Sequence, residues 1–194
     1  CELRSETDYA PHHIQKVVAF FAAMRAFADT LVQEGHRVHY VALDDPDNTG
    51  DFAGELSRLQ GITGADRLAW QEPDEWRLEE HLRAVSAAWR EQARQGEVVG
   101  TEHFLTERGD LAQHFEGKKT YLMESFYRMM RRKHQVLMAP DGSPAGGEWN
   151  YDATNRKKLP KGHVPPAPLL FDRDVTELVE MIERAGVKTV GRIE

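Results

Sequence analysis

Apolar and polar positions alternate along the first part of the chain in a way that predicts a series of helices and strands. Between residues 12 and 35, apolar side chains recur at spacings of three and four, which predicts an amphipathic helix closed by Gly35. These side chains are Val17, Phe20, Phe21, Met24, Phe27, Ala28 and Leu31. Residues 36–43 alternate and are rich in β-formers, which predicts a strand. A run of turn residues at 44–50 and a short helix at 52–60 follow.

The same alternation of strand and helix continues through residue 102. A strand is predicted at 66–71, a helix from the acidic turn at 72–75 to about residue 95, and a third strand at 97–102. Strands that alternate with helices across short loops indicate βαβ units and a parallel sheet flanked by helices. Residues 1–6 read as the end of a strand that enters a loop, so we expect the first strand of the α/β fold to precede this chain.

The pattern changes after residue 106. Helices are predicted at 107–116 and 120–134, and the proline- and glycine-rich residues 139–168 predict an extended linker. An amphipathic helix at 174–185 needs a surface that buries its apolar stripe.

These elements predict three segments. Residues 1–138 form an α/β domain, residues 139–171 form an interdomain linker, and residues 172–194 begin a linker helix or further region.

Composition and charge narrow the class of protein. The 194 residues carry a formal net charge of −7, which argues against general nucleic-acid binding by this segment alone. A single cysteine excludes an internal disulfide and a four-thiolate cluster, and it favours a reducing, cytoplasmic setting. No apolar run approaches the roughly 18 residues of a transmembrane helix.

Two acidic loops follow predicted strands, where ligands of open α/β sheets bind. The acidic and amide groups of residues 44–50 could chelate a hard cation, but the Ca²⁺-loop spacing is missing, which favours a capped turn. The carboxylates of residues 72–77 could bind ribose or ribityl hydroxyls. Alternatively they stabilise the N-terminus of the following helix, which is the favoured interpretation.

No catalytic or metal-ligating arrangement emerges from residue order. His36 and His39 lie on opposite faces of the predicted strand, and the other histidines are scattered, which argues against zinc. Nucleotide-binding glycine motifs and a nucleophile elbow are absent. The helix at 120–134 combines an aromatic and methionine face with basic residues. It is interpreted as a core stripe with a solvated basic face, or as a docking surface for a partner domain or a nucleic-acid backbone.

Five strings occur in an order that resembles a known family. They are FAAMRAFA at 21–28, LDDPDNTG at 43–50, EPDEWR at 72–77, MESFYRMMRRK at 123–133 and GGEWNYDATNRK at 146–157. Together they resemble the N-terminal domain of the deoxyribodipyrimidine photolyase-related family, the bacterial iron–sulfur cryptochromes and (6-4) photolyases. The last string is the most specific of the five.

This resemblance implies a flavodoxin- or Rossmann-like sheet that carries an antenna pigment of the 6,7-dimethyl-8-ribityllumazine type. It also implies a C-terminal helical domain that holds FAD and a [4Fe–4S] cluster, and a light-driven repair of damaged DNA or blue-light signalling. We expect the first strand, with its pigment-holding loop, and the helical domain to lie outside this chain. The segment alone would then be inactive, without FAD or cluster, and its pigment site would be incomplete.

Four residues match, by position, places that line the pigment pocket of the family: Cys1, Glu6, Tyr9 and Phe20. An aromatic ring offers a flat ligand a stacking face, and Glu6 can accept hydrogen bonds from ring N–H or ribityl O–H groups. The alternatives are loop packing for Glu6 and Tyr9, an inert buried thiol for Cys1, and core packing for Phe20.

Three functions follow as hypotheses. The first is an antenna-pigment-binding domain whose partners are its own helical FAD domain and, through the complete protein, damaged DNA. The second is a pigment-free scaffold for that domain. The third is an independent flavodoxin-like small-molecule-binding module.

Overall fold

The structure, a computed structural model, describes residues 1–92, 95–170 and 173–193. These residues form two compact units, which are described separately below. The first combines Cys1–Val99 with Leu170–Glu194, and the second is Gly100–Leu169.

Helices and strands are mixed in the first hundred residues, and the later elements are mainly helical. The strands are β1 (His12–His13), β2 (Arg67–Gln71), β3 (Gln95–Val99) and β4 (Thr189–Val190). The helices are α1 (Arg4–Asp8), α2 (Ile14–Gln33), α3 (Phe52–Thr63), α4 (Trp76–Glu91), α5 (Asp110–Phe115), α6 (Met123–His134), α7 (Asp152–Asn155) and α8 (Thr176–Arg184).

The sheet pairings in the first unit are parallel. β2 pairs with β3 in a register that runs from Arg67 beside Gln95 to Gln71 beside Val99, and α4 connects the two strands. This βαβ unit confirms the predicted parallel arrangement, although the third strand begins two residues earlier than expected and ends at Val99. β1 and β4 form a second, two-stranded parallel sheet. The fold is therefore mixed α/β with small parallel sheets.

Two predictions about the chain start and the first strand are wrong. Residues 4–8 form the helix α1 rather than a loop. Residues 36–43 form no β-ladder; one backbone hydrogen bond, from Glu2 N to Val41 O at 2.8 Å, ties this segment to the chain start. The predicted alternation is nevertheless present as alternating burial, since Val41 and Leu43 are buried and Tyr40 and Ala42 are less so.

The core of the first unit forms where α8 packs on α2. Ile14, Val17, Val18 and Phe21 supply the α2 side of this core. The α8 side consists of Leu178, Met181 and Ile182, with Val187 directly after the helix. The apolar stripe predicted at 174–185 is thus buried against α2, as its amphipathic pattern requires.

Local signals set the ends of the long helices. The His13 ring nitrogen Nδ1 accepts a hydrogen bond from Gln15 N at the start of α2, and Gly35, at φ +89°, follows the end of α2. Asp51 caps α3 by accepting from Gly54 N at 2.9 Å. Gly64 closes α3 in the left-handed conformation that glycine adopts without steric cost.

The second unit is organised around Arg131 of α6. This side chain is only 5% exposed and donates hydrogen bonds to the carbonyls of Val136, Leu137 and Trp149. Its guanidinium also lies 5.3 Å from the centre of the Trp149 ring. The solvated basic face predicted for α6 is therefore wrong for Arg131, which holds the loop at 136–149 to the helix.

No helix in the described parts of the chain is both long and apolar enough to cross a membrane.

Candidate functional site

A cavity of about 290 Å³ opens in the first unit, beside α1 and the first turns of α2. Its wall is predominantly apolar, and its polar groups include Glu6, Lys16 and Glu75. The complete lining is Cys1, Leu3, Glu6, Thr7, Tyr9, His12, Lys16, Val17, Phe20, Phe21, Met24, Phe52 and Glu75. The α2 members recur at spacings of three and four, so one face of α2 forms a wall of the cavity.

All four residues predicted from the family resemblance line this one cavity. Tyr9 is 51% exposed and Phe20 is 59% exposed, so Phe20 does not pack in the core. The core position belongs to its neighbour Phe21, which is only 4% exposed. Cys1 is half-buried and lines the cavity.

Glu6 is held by an arginine that residue order did not identify. Arg77, in the first turn of α4, forms a two-pronged ion pair with Glu6, with Nη2 2.6 Å from Oε2 and Nη1 3.1 Å from Oε1. Arg77 Nε also lies 2.8 Å from Glu75 Oε1. The planar guanidinium matches a carboxylate in this geometry, which makes the pair directional as well as attractive.

Arg77 also covers one aromatic wall of the cavity. Its Cζ lies 4.2 Å from the centre of the Tyr9 ring, a distance typical of a cation–π contact. The hydrogen bonds to Glu6 raise the pKa of Arg77 above its ordinary value, although partial burial acts in the opposite direction. A cation in the first turn of a helix is unfavourable by itself, and the carboxylates of Glu6 and Glu75 offset this.

His12 and Lys16 add basic groups to the aromatic lining of the cavity. The edge of His12 meets Tyr9, with ring centres 4.9 Å apart. Lys16 Nζ lies 3.1 Å from His12 Nδ1 and 5.8 Å from the centre of the Phe20 ring. The cavity thus places exposed aromatic rings beside both a carboxylate and a cation.

The loop at 44–50 is a capped turn, as the favoured interpretation predicts. Asp45 Oδ1 accepts from Asp47 N at 2.9 Å, and Asn48 Oδ1 accepts from Gly50 N at 2.8 Å. Asn48 Nδ2 donates to the carbonyls of Glu2 and Ala42. Within the described residues, no three histidine, cysteine or carboxylate side chains are grouped so that they could hold a metal ion.

Two fully buried carboxylates lie near this loop, and neither was predicted. Glu2 is completely buried and is bound by Arg25, Tyr40 and the Leu43 amide. Glu55 is 1% exposed and accepts from Thr49 N at 2.6 Å and from Arg58 at 2.9 Å. Burial alone would raise the pKa of Glu55, but the hydrogen bonds from Arg58 and Thr49 outweigh it and lower that pKa below its ordinary value.

The cavity suits a compact, flat, uncharged ring system. Its volume lies near the lower end of the roughly 300–1,000 Å³ of small-molecule sites. Aromatic side chains can stack on such a ring, and the ionised Glu6 can accept hydrogen bonds from its N–H or O–H groups. The residues present therefore fit the ring portion of a lumazine.

A mixed α/β unit whose cavity is lined by aromatic side chains and carboxylates is typical of a ligand-holding domain, and comparison with known proteins defines its class further. Residues 1–194 match the profile of the family described as deoxyribodipyrimidine photo-lyase-related protein. The chain belongs to this family, which confirms the resemblance seen in the five sequence strings.

Two relatives illustrate the range of the similarity. A (6-4) photolyase from Agrobacterium fabrum (strain C58 / ATCC 33970) is 35% identical over 196 residues, which cover 100% of this chain and 38% of that protein. The chain thus spans well under half the length of this relative. The uncharacterized protein R852 of Acanthamoeba polyphaga mimivirus is 29% identical over 153 residues, which cover 76% of this chain and 73% of that protein.

Proposed function

We propose that this chain is the N-terminal, antenna-pigment-binding domain of a photolyase- or cryptochrome-related flavoprotein that acts in light-dependent DNA repair or blue-light sensing. The observation that carries the proposal is the convergence of Cys1, Glu6, Tyr9 and Phe20 on one cavity. These residues come from three places: the chain start, α1 with the turn after it, and α2. The packing of the first twenty residues brings the four side chains around one cavity.

The proposed pigment is 6,7-dimethyl-8-ribityllumazine, held by its ring in the cavity. An antenna transfers excitation through space, so its protein needs only to hold the pigment at a fixed distance and angle from the flavin. A cavity walled by α2 meets this requirement because α2 is a rigid element, and its Val17 and Phe21 both line the cavity and pack in the core.

The remaining partners belong to the complete protein. In the proposal, FAD and a [4Fe–4S] cluster reside in a C-terminal helical domain that follows a flavodoxin-like N-terminal domain at residues 1–138, a linker at 139–171 and the start of the next region at 172–194. If the protein acts in repair, damaged DNA is its substrate. The proposed location of the protein is the cytoplasm. The (6-4) photolyase relative supports the repair reading by its name and its 35% identity.

Absorption and fluorescence excitation spectra of the complete protein test the proposal. A violet lumazine band in addition to the flavin bands, with lumazine excitation producing flavin emission or flavin photoreduction, is the expected result. Glu6→Gln combined with Tyr9→Ala should remove the lumazine band and leave the flavin bands unchanged.

Two other results would each support an alternative. Flavin bands with no lumazine, even after the pigment is added in excess, would indicate a pigment-free scaffold. Stable binding of a small molecule other than lumazine by residues 1–194 alone would indicate an independent binding module.

A further inference from the structure

We infer that Arg77 is a positioning and specificity-determining residue of the cavity, which acts by fixing Glu6 as a hydrogen-bond acceptor and Tyr9 as a stacking face. This inference rests on the proposed function, because it concerns the same cavity. Arg77 itself does not line the cavity, whereas Glu6, Tyr9 and Glu75 do.

The first step of the argument is the direction of the Glu6 carboxylate. Both of its oxygens are occupied on one side by Arg77, at 2.6 and 3.1 Å, and Ser5 Oγ donates to Oε1 at 3.2 Å. Each carboxylate oxygen has about two acceptor sites, so Oε2 retains one for a ligand. The Glu6 carboxylate is held in one orientation and offers only acceptor oxygens. It therefore favours ligands that carry an N–H or O–H group at this position.

The second step is the orientation of Tyr9. A tyrosine that is 51% exposed on a surface turn has freedom to rotate unless a neighbour restrains it. The guanidinium plane 4.2 Å from the ring centre supplies that restraint on one side, and the edge contact with His12 supplies another. A ring that is held before the ligand arrives costs less entropy on binding.

The third step is that a second carboxylate, Glu75, restrains the Arg77 guanidinium. Glu75 binds Nε at 2.8 Å and approaches Nη2 at 3.3 Å, so the guanidinium is held by carboxylates on two edges. Lysine would retain the charge in this place, but it has neither the planar fork nor the planar stacking surface. The geometry therefore assigns the role to arginine rather than to any cation.

The test uses the complete protein freed of pigment, with 6,7-dimethyl-8-ribityllumazine as the probe. Arg77→Gln should raise the dissociation constant by about tenfold or more, and Arg77→Lys should raise it by a smaller factor. The anisotropy of bound lumazine fluorescence should fall in Arg77→Gln because the pigment ring gains local freedom. A partly unfolded protein would lower the number of binding sites but would leave the anisotropy of the pigment that still binds unchanged.

Arg83 provides a matched control on the same helix. It is paired with Glu79 and Glu80 on the surface of α4 and does not line the cavity. Arg83→Gln should leave both the dissociation constant and the anisotropy at the wild-type values. Because part of the effect of Arg77 runs through Glu6, Glu6→Gln and the double variant with Arg77→Gln should differ less than Arg77→Gln differs from the wild type, and the remaining difference measures the contribution through Tyr9.

The outcomes separate this inference from the proposed function. If the wild-type protein binds no lumazine, the proposed function fails. If the wild type binds and Arg77→Gln matches it in both measurements, only the role of Arg77 is overturned. Equal losses in Arg77→Gln and Arg83→Gln, or wild-type values in Arg77→Lys, would also overturn it, because the effect would then be nonspecific or a matter of charge alone.

Discussion

Arg25 and Glu2 form an ion pair in which the carboxylate is completely buried. Arg25 Nε lies 2.7 Å from Glu2 Oε1, and Nη2 lies 3.1 Å from Oε2. The Tyr40 hydroxyl and the Leu43 amide donate to the same carboxylate at 2.7 and 2.8 Å. Burial, together with the neighbouring Glu2 carboxylate, raises the pKa of Tyr40 above its ordinary value, so Tyr40 remains a donor across the usual pH range. This network joins the chain start, α2 and the segment at 36–43, which lacks a β-ladder.

Arg25→Met should lower the free energy of unfolding by about 3–5 kcal/mol, because it leaves the Glu2 charge buried without its cation. Denaturant unfolding of the variant and the wild type measures this difference. Arg184→Met is the control, since Arg184 is exposed and its ion pair among the described residues is a 3.7 Å surface pair with Glu180. Its effect should stay within about 0.5 kcal/mol. Equal effects of the two variants would contradict a special role for the buried pair.

Phe20 and Phe21 are neighbours that both line the cavity, but they differ in their expected effects on stability. Phe21→Ala should destabilise the protein by about 3–5 kcal/mol, because it creates a void in the core. Phe20→Ala should change stability by less than about 1 kcal/mol but weaken lumazine binding, because this ring is 59% exposed and lines the cavity. Thermal unfolding separates the two variants, and a lumazine titration measures the binding loss in Phe20→Ala. A large loss of stability in Phe20→Ala would instead support core packing.

Glu55 should contribute to acid sensitivity. Its pKa in the folded state lies below the ordinary value of 4.5, so the folded protein holds this proton less tightly than the unfolded chain does. The resulting stabilisation is complete above about pH 4.5 and is lost as the pH falls through the folded-state pKa.

Glu55→Gln tests this linkage. At pH 7 it should cost about 1–3 kcal/mol, because the Thr49 amide and Arg58 lose a charged acceptor. The difference in melting temperature between the wild type and Glu55→Gln should shrink as the pH is lowered from 7 to 3. A difference that stays constant over this range would show that the Glu55 charge does not stabilise the fold.

Arg131→Lys should release the loop at 136–149 from α6. Lysine has a single nitrogen, which cannot reach the carbonyls of Val136, Leu137 and Trp149 together. Faster amide hydrogen exchange in this loop, with unchanged exchange in α2, is the expected result. Arg132→Lys is the control, because Arg132 contacts the Trp149 ring at 4.5 Å but has no such carbonyl partners among the described hydrogen bonds. Similar exchange rates in both variants would contradict the role assigned to Arg131.

The strongly periodic elements were predictable from the sequence. The helix expected at 12–35 is α2 at Ile14–Gln33, the stripe at 174–185 is buried as α8, and the strands at 66–71 and near 97 pair in parallel. In each of these cases the pattern of neighbouring residues determines which face is buried. The same reasoning failed at 36–43, because alternation specifies alternating burial but does not provide a neighbouring strand for pairing.

Some residues of the candidate site were predictable from the sequence, and others were identified only from the tertiary structure. The family resemblance implied Cys1, Glu6, Tyr9 and Phe20 by position, and all four line one cavity. The role of Arg77 could not be predicted from the sequence because its partner Glu6 is 71 residues away. Within the string at 72–77, only the carboxylates were candidates for ligand binding. The burial of Glu2 was equally hidden, since a glutamate is usually exposed and the partners Arg25, Tyr40 and Leu43 that compensate its charge lie 23 to 41 residues away. The periodic patterns involve residues that are close in sequence, so the sequence by itself determined the main elements and the family. The ion pair between Glu6 and Arg77 joins segments that are distant in sequence. Only the tertiary structure decided that contact.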